Sequence, residues 1–224
     1  MTARNTVAGT SERKSPQDAL GRYYTPDPVA LALLWRWRGI IGVGFRVVDP
    51  FAGGGAWLRA GRAIGPEVAG CDLDPDAPAV LSGEAIHGDG LDYMRGLRDG
   101  EVIATNPPFG IMDQAVMAAL TAWHEGRVSS VVILGRLTQA EGTSRAAVYR
   151  RWPPTEIVVP ARRMRWGGPG GDALAGGTDN FGALAMIWRW PTLAGDTRAV
   201  LGWAPEDEQA PGGGGQIGLF GGAR

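Results

Sequence analysis

Short apolar runs recur along the chain, and each of the first four is followed by a side chain that carries a carboxylate or an amide. These side chains belong to Asp49, Asp72, Asp89 and Asn106. Helix-like stretches separate the runs, and strands alternating with helices are typical of an open, doubly wound, mostly parallel sheet. We therefore predict an α/β fold with a seven-stranded sheet whose last strand is antiparallel. The predicted strands are 45–48, 67–71, 85–86, 102–104, 130–134, 157–159 and 183–188, and the predicted helices include 29–38, 56–64, 77–81 and 111–124.

The composition limits the class of protein and its environment. With 224 residues, of which 44% are hydrophobic, the chain supports one substantial domain. We predict a disordered arm over 1–20, a folded domain over 21–203 and a flexible glycine-rich tail over 204–224. The longest apolar stretch is far shorter than the ~18 residues of a membrane span. Cys71 and two histidines are too few for a disulfide or a cysteine- or histidine-rich metal site. These features predict a cytoplasmic protein without a metal or a membrane anchor.

The segment Asn106-Pro107-Pro108-Phe109 ends the fourth predicted strand, and we predict these four residues as the catalytic set. Prolines cannot donate hydrogen bonds to a sheet, so they stop the strand and leave a rigid turn at its carboxyl edge. The Asn106 side-chain oxygen and the Pro107 carbonyl can accept both N–H bonds of an exocyclic amine, while Phe109 stacks on the ring that carries it. The amine nitrogen then keeps its lone pair for attack on an electrophilic methyl group. A tight turn that only ends a buried strand is the alternative.

A second group of polar residues surrounds the glycine-rich turn over 49–55, which follows the first strand. Its glycines let the backbone approach a ligand, but it is neither the Gly-x-Gly-x-x-Gly dinucleotide pattern nor a Gly-Lys-Ser/Thr phosphate loop. At later strand ends, Asp72 can accept both hydroxyls of a ribose, and Asp89 can accept from an adenine amino group. Together with Asp49, these carboxylates favour a cationic nucleoside such as S-adenosylmethionine over a polyphosphate.

The net charge is −1, but the segment 145–165 is locally basic. A single acid, Glu156, stands among six arginines, and aromatic residues are interleaved with them. Basic residues mixed with aromatic residues favour contact with phosphates and bases, and a solvated helix face is the alternative. The predicted nucleic-acid surface consists of Arg145, Arg150, Arg151, Arg162, Arg163, Arg165 and Trp166.

The order of these motifs resembles that of the amino-methylating DNA methyltransferases. The chain is most similar to small, phage-like or prophage-like N6-adenine enzymes, in which the cofactor motif precedes the Asn-Pro-Pro-aromatic motif. The resemblance spans roughly residues 22–190. The matching pieces are Tyr24-Thr25-Pro26, Asp49-Pro50-Phe51-Ala52-Gly53-Gly54-Gly55, Cys71-Asp72-Leu73, Gly88-Asp89 and Asn106-Pro107-Pro108-Phe109.

The resemblance implies a class I methyltransferase domain that binds S-adenosylmethionine and methylates N6 of a flipped or unpaired adenine in DNA. It places Thr25 and Pro26 beside the methionine moiety of the cofactor. The segments 162–166 and 178–181 are similar to the late segment that helps stack the flipped base in phage-type enzymes, with a core tryptophan as the alternative for Trp166. The implied cofactor-binding residues are Tyr24, Thr25, Pro26, Asp49, Phe51, Gly53, Gly55, Asp72, Leu73, Asp89 and Asn106.

The chain departs from the family in one respect. Members that read a defined DNA sequence usually add a recognition domain, and the roughly 35 residues after the last predicted strand are too few to form one. Selectivity is therefore short or relaxed, or it comes from 136–180 or from a partner. The alternatives are an RNA amino-methyltransferase acting on adenine or guanine, a release-factor glutamine methyltransferase, and a catalytically silent domain that binds DNA or another subunit. The piece Tyr24-Thr25-Pro26, which is associated with DNA enzymes, favours DNA.

The tail carries a last candidate motif, Gln216-Ile217-Gly218-Leu219-Phe220, after four consecutive glycines. It is similar to the Gln-x-x-Leu-Phe motif by which bacterial DNA polymerases and repair proteins bind the sliding clamp. We predict that Gln216, Leu219 and Phe220 bind such a clamp. An incidental apolar stretch in a permissive tail is the alternative.

Overall fold

The computed structural model describes residues 23–41, 45–65, 67–98, 100–167, 182–189 and 197–207. The predicted arm over 1–20, the segment 178–181 and the tail motif lie outside the described residues. Within these ranges, one sheet carries helices on both faces. The strands are β1 (Arg46–Asp49), β2 (Val68–Asp72), β3 (Ile86–His87), β4 (Glu101–Thr105), β5 (Val128–Arg136), β6 (Glu156–Pro160), β7 (Ala183–Arg189) and β8 (Arg198–Trp203). The helices are α1 (Asp27–Ile41), α2 (Ala56–Ile64), α3 (Pro78–Leu81), α4 (Gly90–Arg95), α5 (Met112–His124) and α6 (Thr143–Arg151), and 3-10 turns cover Phe109–Ile111, Leu137–Ala140 and Pro205–Asp207.

The sheet has the strand order β3-β2-β1-β4-β5-β7-β6-β8. Of the described strands, β7 alone runs antiparallel to its neighbours, β5 and β6. The predicted doubly wound α/β fold and its antiparallel strand 183–188 are therefore confirmed. The predicted count of seven strands was one short, because β8 extends the sheet by parallel pairing with β6. Residues 199–201 of β8 are apolar in sequence but not buried, and Leu201 is 77% exposed.

The strands bury both of their faces, which is why they appear in the sequence as continuous apolar runs rather than as alternating patterns. Neighbouring residues of β1 illustrate the division. Val47 packs in one core cluster with Trp37 of α1 and Trp57 of α2. Val48 points to the other face and belongs to the cluster that contains Leu120 of α5. The helices therefore cover both faces of the sheet.

The order of the strands reverses between β1 and β4. The chain builds β2 and β3 on one side of β1 and then crosses to place β4 on the other side, with Val48 of β1 opposite Ile103 of β4. The carboxyl ends of β1 and β4 are therefore adjacent. In doubly wound sheets, ligands bind in the crevice at such a reversal.

Helix α1 is fixed at its first turn and at a point farther along its length, which positions the residues before it over this crevice. In its middle, Arg36 Nε and Trp37 Nε1 donate to Glu156 Oε1 of β6, at 2.6 and 2.8 Å. At its first turn, Asp27 accepts two hydrogen bonds from the guanidinium of Arg59 in α2, at 2.7 and 2.6 Å. Residues 23–25 precede this anchored turn and line the crevice.

Candidate active site

A cavity of about 760 Å³ opens at the carboxyl edge of the sheet, between the turns that follow β1, β2 and β4. It brings together most of the predicted cofactor and catalytic residues. Of the predicted set, Pro26, Gly55 and Asp89 are not among its lining residues. The lining residues from the predicted set are Tyr24, Thr25, Asp49, Phe51, Gly53, Asp72, Leu73, Asn106, Pro107, Pro108 and Phe109.

The glycine turn after β1 is shaped by its contact with Tyr24. Gly53 has a φ of +47°, and a Cβ there would lie 2.7 Å from Cδ1 of the Tyr24 ring. The Gly53 amide donates to Asp72 Oδ2 at 2.7 Å, which ties the turn to the end of β2. Tyr24 itself is held by two backbone hydrogen bonds with Gly167, at 3.1 and 2.8 Å. Gly55, with a φ of +81°, is the N-cap residue directly before α2. The glycines therefore allow the backbone to pass close under an aromatic ring at the cavity wall.

Asp49 is a buried carboxylate at the end of β1. Its Oδ1 accepts from Thr105 Oγ1 at 2.6 Å and from the Phe51 amide at 3.1 Å. Its Oδ2 is buried and has no hydrogen-bond partner among the described residues. Burial raises the pKa of Asp49 from 3.8 to about 7, and the two hydrogen bonds to Oδ1 oppose this rise. The cavity thus contains an acceptor that a cationic or hydrogen-bond-donating ligand would satisfy.

Asp72 and Leu73 form the second wall of the cavity. Asp72 Oδ1 accepts from the Asp74 amide at 2.9 Å, and Oδ2 accepts from Gly53. Each carboxylate oxygen keeps a further lone pair for a ligand hydroxyl, since an ionised carboxyl offers about four acceptor sites. Leu73 is 65% exposed although it lines the cavity. A carboxylate beside an exposed apolar side chain suits a sugar that carries a planar base.

Asp89 has a structural partner in this conformation. It precedes α4, and its Oδ1 accepts from the amides of Leu91 and Asp92 at 2.8 and 3.0 Å. This is the N-cap arrangement that satisfies unpaired amides at the start of a helix. The predicted contact of Asp89 with an adenine amino group stays a prediction, because its side chain does not line the cavity.

Asn106 lies directly after β4, and its amide is oriented by a hydrogen bond. Its Nδ2 donates to the Tyr23 carbonyl at 3.0 Å, whereas its Oδ1 is buried and unpaired within the part of the chain that the structure describes. The two prolines lead into the 3-10 turn Phe109–Ile111, which the Ile111 amide closes by donating to the Pro108 carbonyl at 3.0 Å. The turn therefore presents one fixed acceptor that no protein donor satisfies.

Phe109 is surrounded by three side chains. The Tyr23 ring centre lies 5.3 Å away, and Trp166 meets the ring edge-on at 6.3 Å. The guanidinium of Arg136 lies over the ring, 3.8 Å from its centre. Trp166 is only 3% exposed and belongs to the core, so its predicted contact with a nucleic-acid base would require a conformational change.

The predicted basic surface is divided by the fold. Arg145 donates to both carboxylate oxygens of Asp113, at 2.7 and 3.0 Å. Arg150 and Arg151 lie in the last turn of α6, which runs back toward the amino edge of the sheet, so they are at the opposite edge from the cavity. Three exposed arginines follow the carboxyl end of β6 and are therefore on the cavity side: Arg162, Arg163 and Arg165.

The described ranges contain neither a cluster of metal ligands nor a membrane-spanning helix. No group of three or more His, Cys, Asp or Glu residues is arranged to hold a metal ion there. No helix in these ranges is long and apolar enough to cross a membrane.

Comparison with known proteins identifies the fold. No protein-family model matches the chain, and no curated protein matches it in sequence. It is similar to a candidate RNA methyltransferase from Pyrococcus horikoshii, with 18% identity and a TM-score of 0.56 over 79% of this chain and 90% of that one. A type I restriction-modification methyltransferase subunit from Streptococcus thermophilus has 15% identity and a TM-score of 0.53, over 76% of this chain and 45% of that one. A 23S ribosomal-RNA methyltransferase has 14% identity and a TM-score of 0.51, over 75% and 70% of the two chains.

These likenesses establish the fold as that of the class I methyltransferases. The chain spans less than half the length of the type I subunit that it matches. The cavity lies where this fold, as a doubly wound sheet, binds its ligands.

Proposed function

We propose that this protein transfers a methyl group from S-adenosylmethionine to N6 of adenine in DNA. The observation that carries the proposal is the Asn106 amide, whose Nδ2 is bound to the Tyr23 carbonyl while its buried Oδ1 has no partner in the described residues. A buried acceptor without a donor costs about 1–3 kcal/mol. A ligand that supplies the donor would remove this cost, and the amino group of adenine is a donor of the right kind.

The other half of the cavity fits the proposed cofactor. Asp49 offers a carboxylate oxygen that has no donor among the described residues. Asp72 offers further lone pairs to a ribose, and Leu73 offers an exposed apolar surface to an adenine ring. Three carboxylates line the cavity, from Asp49, Asp72 and Asp74, and they suit a ligand that carries positive charge. When bound, S-adenosylmethionine supplies an electrophilic methyl group.

The residues of the Asn106 turn would act mainly by positioning. Asn106 Oδ1 and the Pro107 carbonyl accept the two N–H bonds of the amine, which leaves the lone pair of the nitrogen directed away from them. Phe109 supports the base by stacking. The amine becomes acidic only after it is methylated, so no strong general base is needed and the proton is lost to water. Catalysis of this kind depends on orientation and fixed dipoles, which contribute most when the groups are held rigidly before the substrate arrives.

The adenine has to leave the base stack to reach this turn, because N6 is inaccessible inside a duplex. A second candidate is the amino-methylation of RNA, which the likeness to a candidate RNA methyltransferase and to a 23S ribosomal-RNA methyltransferase favours. DNA is preferred here because of the piece Tyr24-Thr25-Pro26 and the likeness to a type I restriction-modification subunit.

The proposal is tested with S-adenosylmethionine whose methyl group is deuterated. Unmethylated DNA and RNA of matched sequence are incubated separately with the protein, digested to nucleosides and analysed by mass spectrometry. Deuterated N6-methyladenine in DNA supports the proposal, and label confined to RNA supports the second candidate. The absence of label from both nucleic acids would refute methyl transfer to either.

Asn106→Ala provides the matching variant. It should abolish turnover, because the acceptor for the amine is lost, and it should leave the cofactor affinity measured by calorimetry largely unchanged. Gln114→Ala removes an exposed amide from the next helix and should change neither quantity. If Asn106→Ala instead loses cofactor binding, then Asn106 supports the cofactor site and not the acceptor amine.

A further inference from the structure

Arg136 ends β5, and its side chain reaches the candidate active site. Its guanidinium carbon lies 3.8 Å from the centre of the Phe109 ring. Among the described residues that line the cavity, it is the only basic one. A planar guanidinium at this distance stacks on an aromatic face much as a nucleobase does. One face of Phe109, the ring expected to stack on the substrate base, is therefore covered by a cation of the protein itself.

The acceptor of the site is covered as well. Asn106 Oδ1 is shielded from solvent and unpaired in the ranges that the structure resolves in detail, so a substrate amine reaches it only after a neighbouring group moves. Of the three side chains around Phe109, Trp166 is fixed in the core, and the backbone of Tyr23 is held by Asn106. Arg136 is half-buried, and of these three side chains it has the most rotatable bonds.

The charge on the same edge indicates where the guanidinium would go. Arg162, Arg163 and Arg165 are exposed beyond the carboxyl end of β6, so the phosphates of a bound nucleic acid would be attracted to this side of the cavity. A phosphate near the target nucleotide offers a guanidinium a charge-assisted, bidentate hydrogen bond. Such a bond would offset the interactions that the guanidinium gives up when it leaves the Phe109 ring.

We propose that Arg136 is a gate that selects nucleic acid over free bases. In the free protein its guanidinium occupies the base position on Phe109, and the entering base displaces it onto a phosphate of the same strand. No covalent bond changes in this exchange. A free base displaces the guanidinium without offering it a new partner, whereas a polynucleotide displaces it and also offers it a phosphate. This inference rests on the proposed function, since it assumes that Phe109 stacks on the substrate base.

The gate predicts that removing the guanidinium shifts two affinities in opposite directions. Adenine and a mixed-sequence single-stranded DNA oligonucleotide serve as probes, by saturation-transfer NMR and fluorescence anisotropy respectively. Saturating S-adenosylhomocysteine keeps adenine out of the cofactor position. In Arg136→Ala, adenine should bind ~3–10-fold tighter, because it no longer competes with a cation–π contact. The oligonucleotide should bind more weakly, and the slope of log K against log salt should fall by about 0.7, the value for one single-strand phosphate.

Two variants separate charge from stacking and from general effects. Arg136→Lys keeps the charge without the planar guanidinium, so it should bind adenine more tightly than the wild type and keep the salt slope. Arg95 is exposed on α4 and paired with Asp92, and Arg95→Ala should change neither affinity. The gate proposal is refuted if Arg136→Ala lowers the affinity for both ligands, as the loss of a structural residue would, or leaves both affinities unchanged. If the wild type transfers no methyl group while the opposite shifts appear, then the proposed chemistry fails and the gate stands.

Discussion

Replacing Asp49 with asparagine tests whether ionisation of this buried carboxyl lowers the free energy of unfolding. Burial raises the pKa of Asp49 from 3.8 to about 7. A carboxyl with a higher pKa in the folded protein than in the unfolded chain binds its proton more tightly when folded, so stability falls as the pH rises between these two values. A shift of about 3 pKa units corresponds to roughly 4 kcal/mol, at ~1.4 kcal/mol for each unit.

The assay is urea unfolding of the wild type and Asp49→Asn at pH 5, 6, 7 and 8. The asparagine keeps an acceptor for Thr105 and the Phe51 amide but cannot ionise, so the difference between the two proteins isolates the Asp49 carboxyl from all other titrating groups. The difference in the free energy of unfolding should shift in favour of the variant by roughly 2–3 kcal/mol between pH 5 and pH 8, and it should level off above pH 7. A difference that does not change with pH would refute the raised pKa.

The same carboxyl should control binding of the proposed cofactor. The ionised fraction of a group with a pKa of about 7 rises ~10-fold between pH 6 and pH 8, so the affinity of the wild type for the cationic cofactor should rise by a similar factor if the carboxylate is the binding form. Calorimetry at both pH values measures this rise. Asp49→Asn should show a smaller dependence, and equal dependence in the two proteins would show that Asp49 does not contact the cofactor.

Two further predictions concern the glycine turn and the tail. Gly53→Ala should weaken cofactor binding at least ~10-fold by calorimetry, since its Cβ would lie 2.7 Å from the Tyr24 ring and contacts of that kind force the backbone to shift. Gly65→Ala is its control, because Gly65 also has a positive φ, +104°, but nothing lies within 4 Å of the added Cβ. This variant should cost about 1 kcal/mol of stability and leave the cofactor affinity unchanged. Equal cofactor affinities in the two variants would contradict the role of the turn. Binding of the full chain to a bacterial sliding clamp, measured by fluorescence anisotropy, should be micromolar and lost in Leu219→Ala/Phe220→Ala. A double variant that binds equally well would remove the clamp hypothesis and leave the methyltransferase proposal intact.

Much of the fold could be predicted because burial on both faces turns strands into apolar runs. The predicted strand 102–104 lies inside β4, and the predicted helix 56–64 coincides with α2. Two of the elements that were missed are not buried in this way. Helix α6 has no buried residue. Strand β8 contains the apolar residues 199–201 but is held by pairing with β6, and most of its side chains are exposed. The prediction therefore succeeded where strands are buried on both faces and failed for elements at the surface.

The site was predictable where it depends on strand ends, and less so where it depends on packing. Asp49 and Asn106 line the same cavity because they lie at the carboxyl ends of two neighbouring parallel strands, which are at the same edge of the sheet. By the same rule Arg136, directly after the run 130–134 and Gly135, could have been recognised as a site residue. The backbone carbonyl of Tyr23, which orients Asn106, could not be predicted from the sequence because every residue has a backbone carbonyl. The division of the arginine cluster could not be predicted either, because six arginines that are close in sequence lie on elements running in opposite directions.

Asp49 Oδ2 and Asn106 Oδ1, which have no donor within the described ranges, belong to residues that are connected to each other. Thr105 donates to Asp49 Oδ1 at 2.6 Å, and it is the residue that precedes Asn106 in the chain. The carboxylate proposed to face the cofactor and the amide proposed to face the substrate are therefore linked across β1 and β4 by one hydroxyl. Leaving both acceptors buried without donors costs stability, at about 1–3 kcal/mol for each group, and tertiary packing around the strand ends has to offset that cost. In return, the acceptors hold their positions before either ligand arrives, which is the condition under which fixed dipoles contribute most to a transfer reaction.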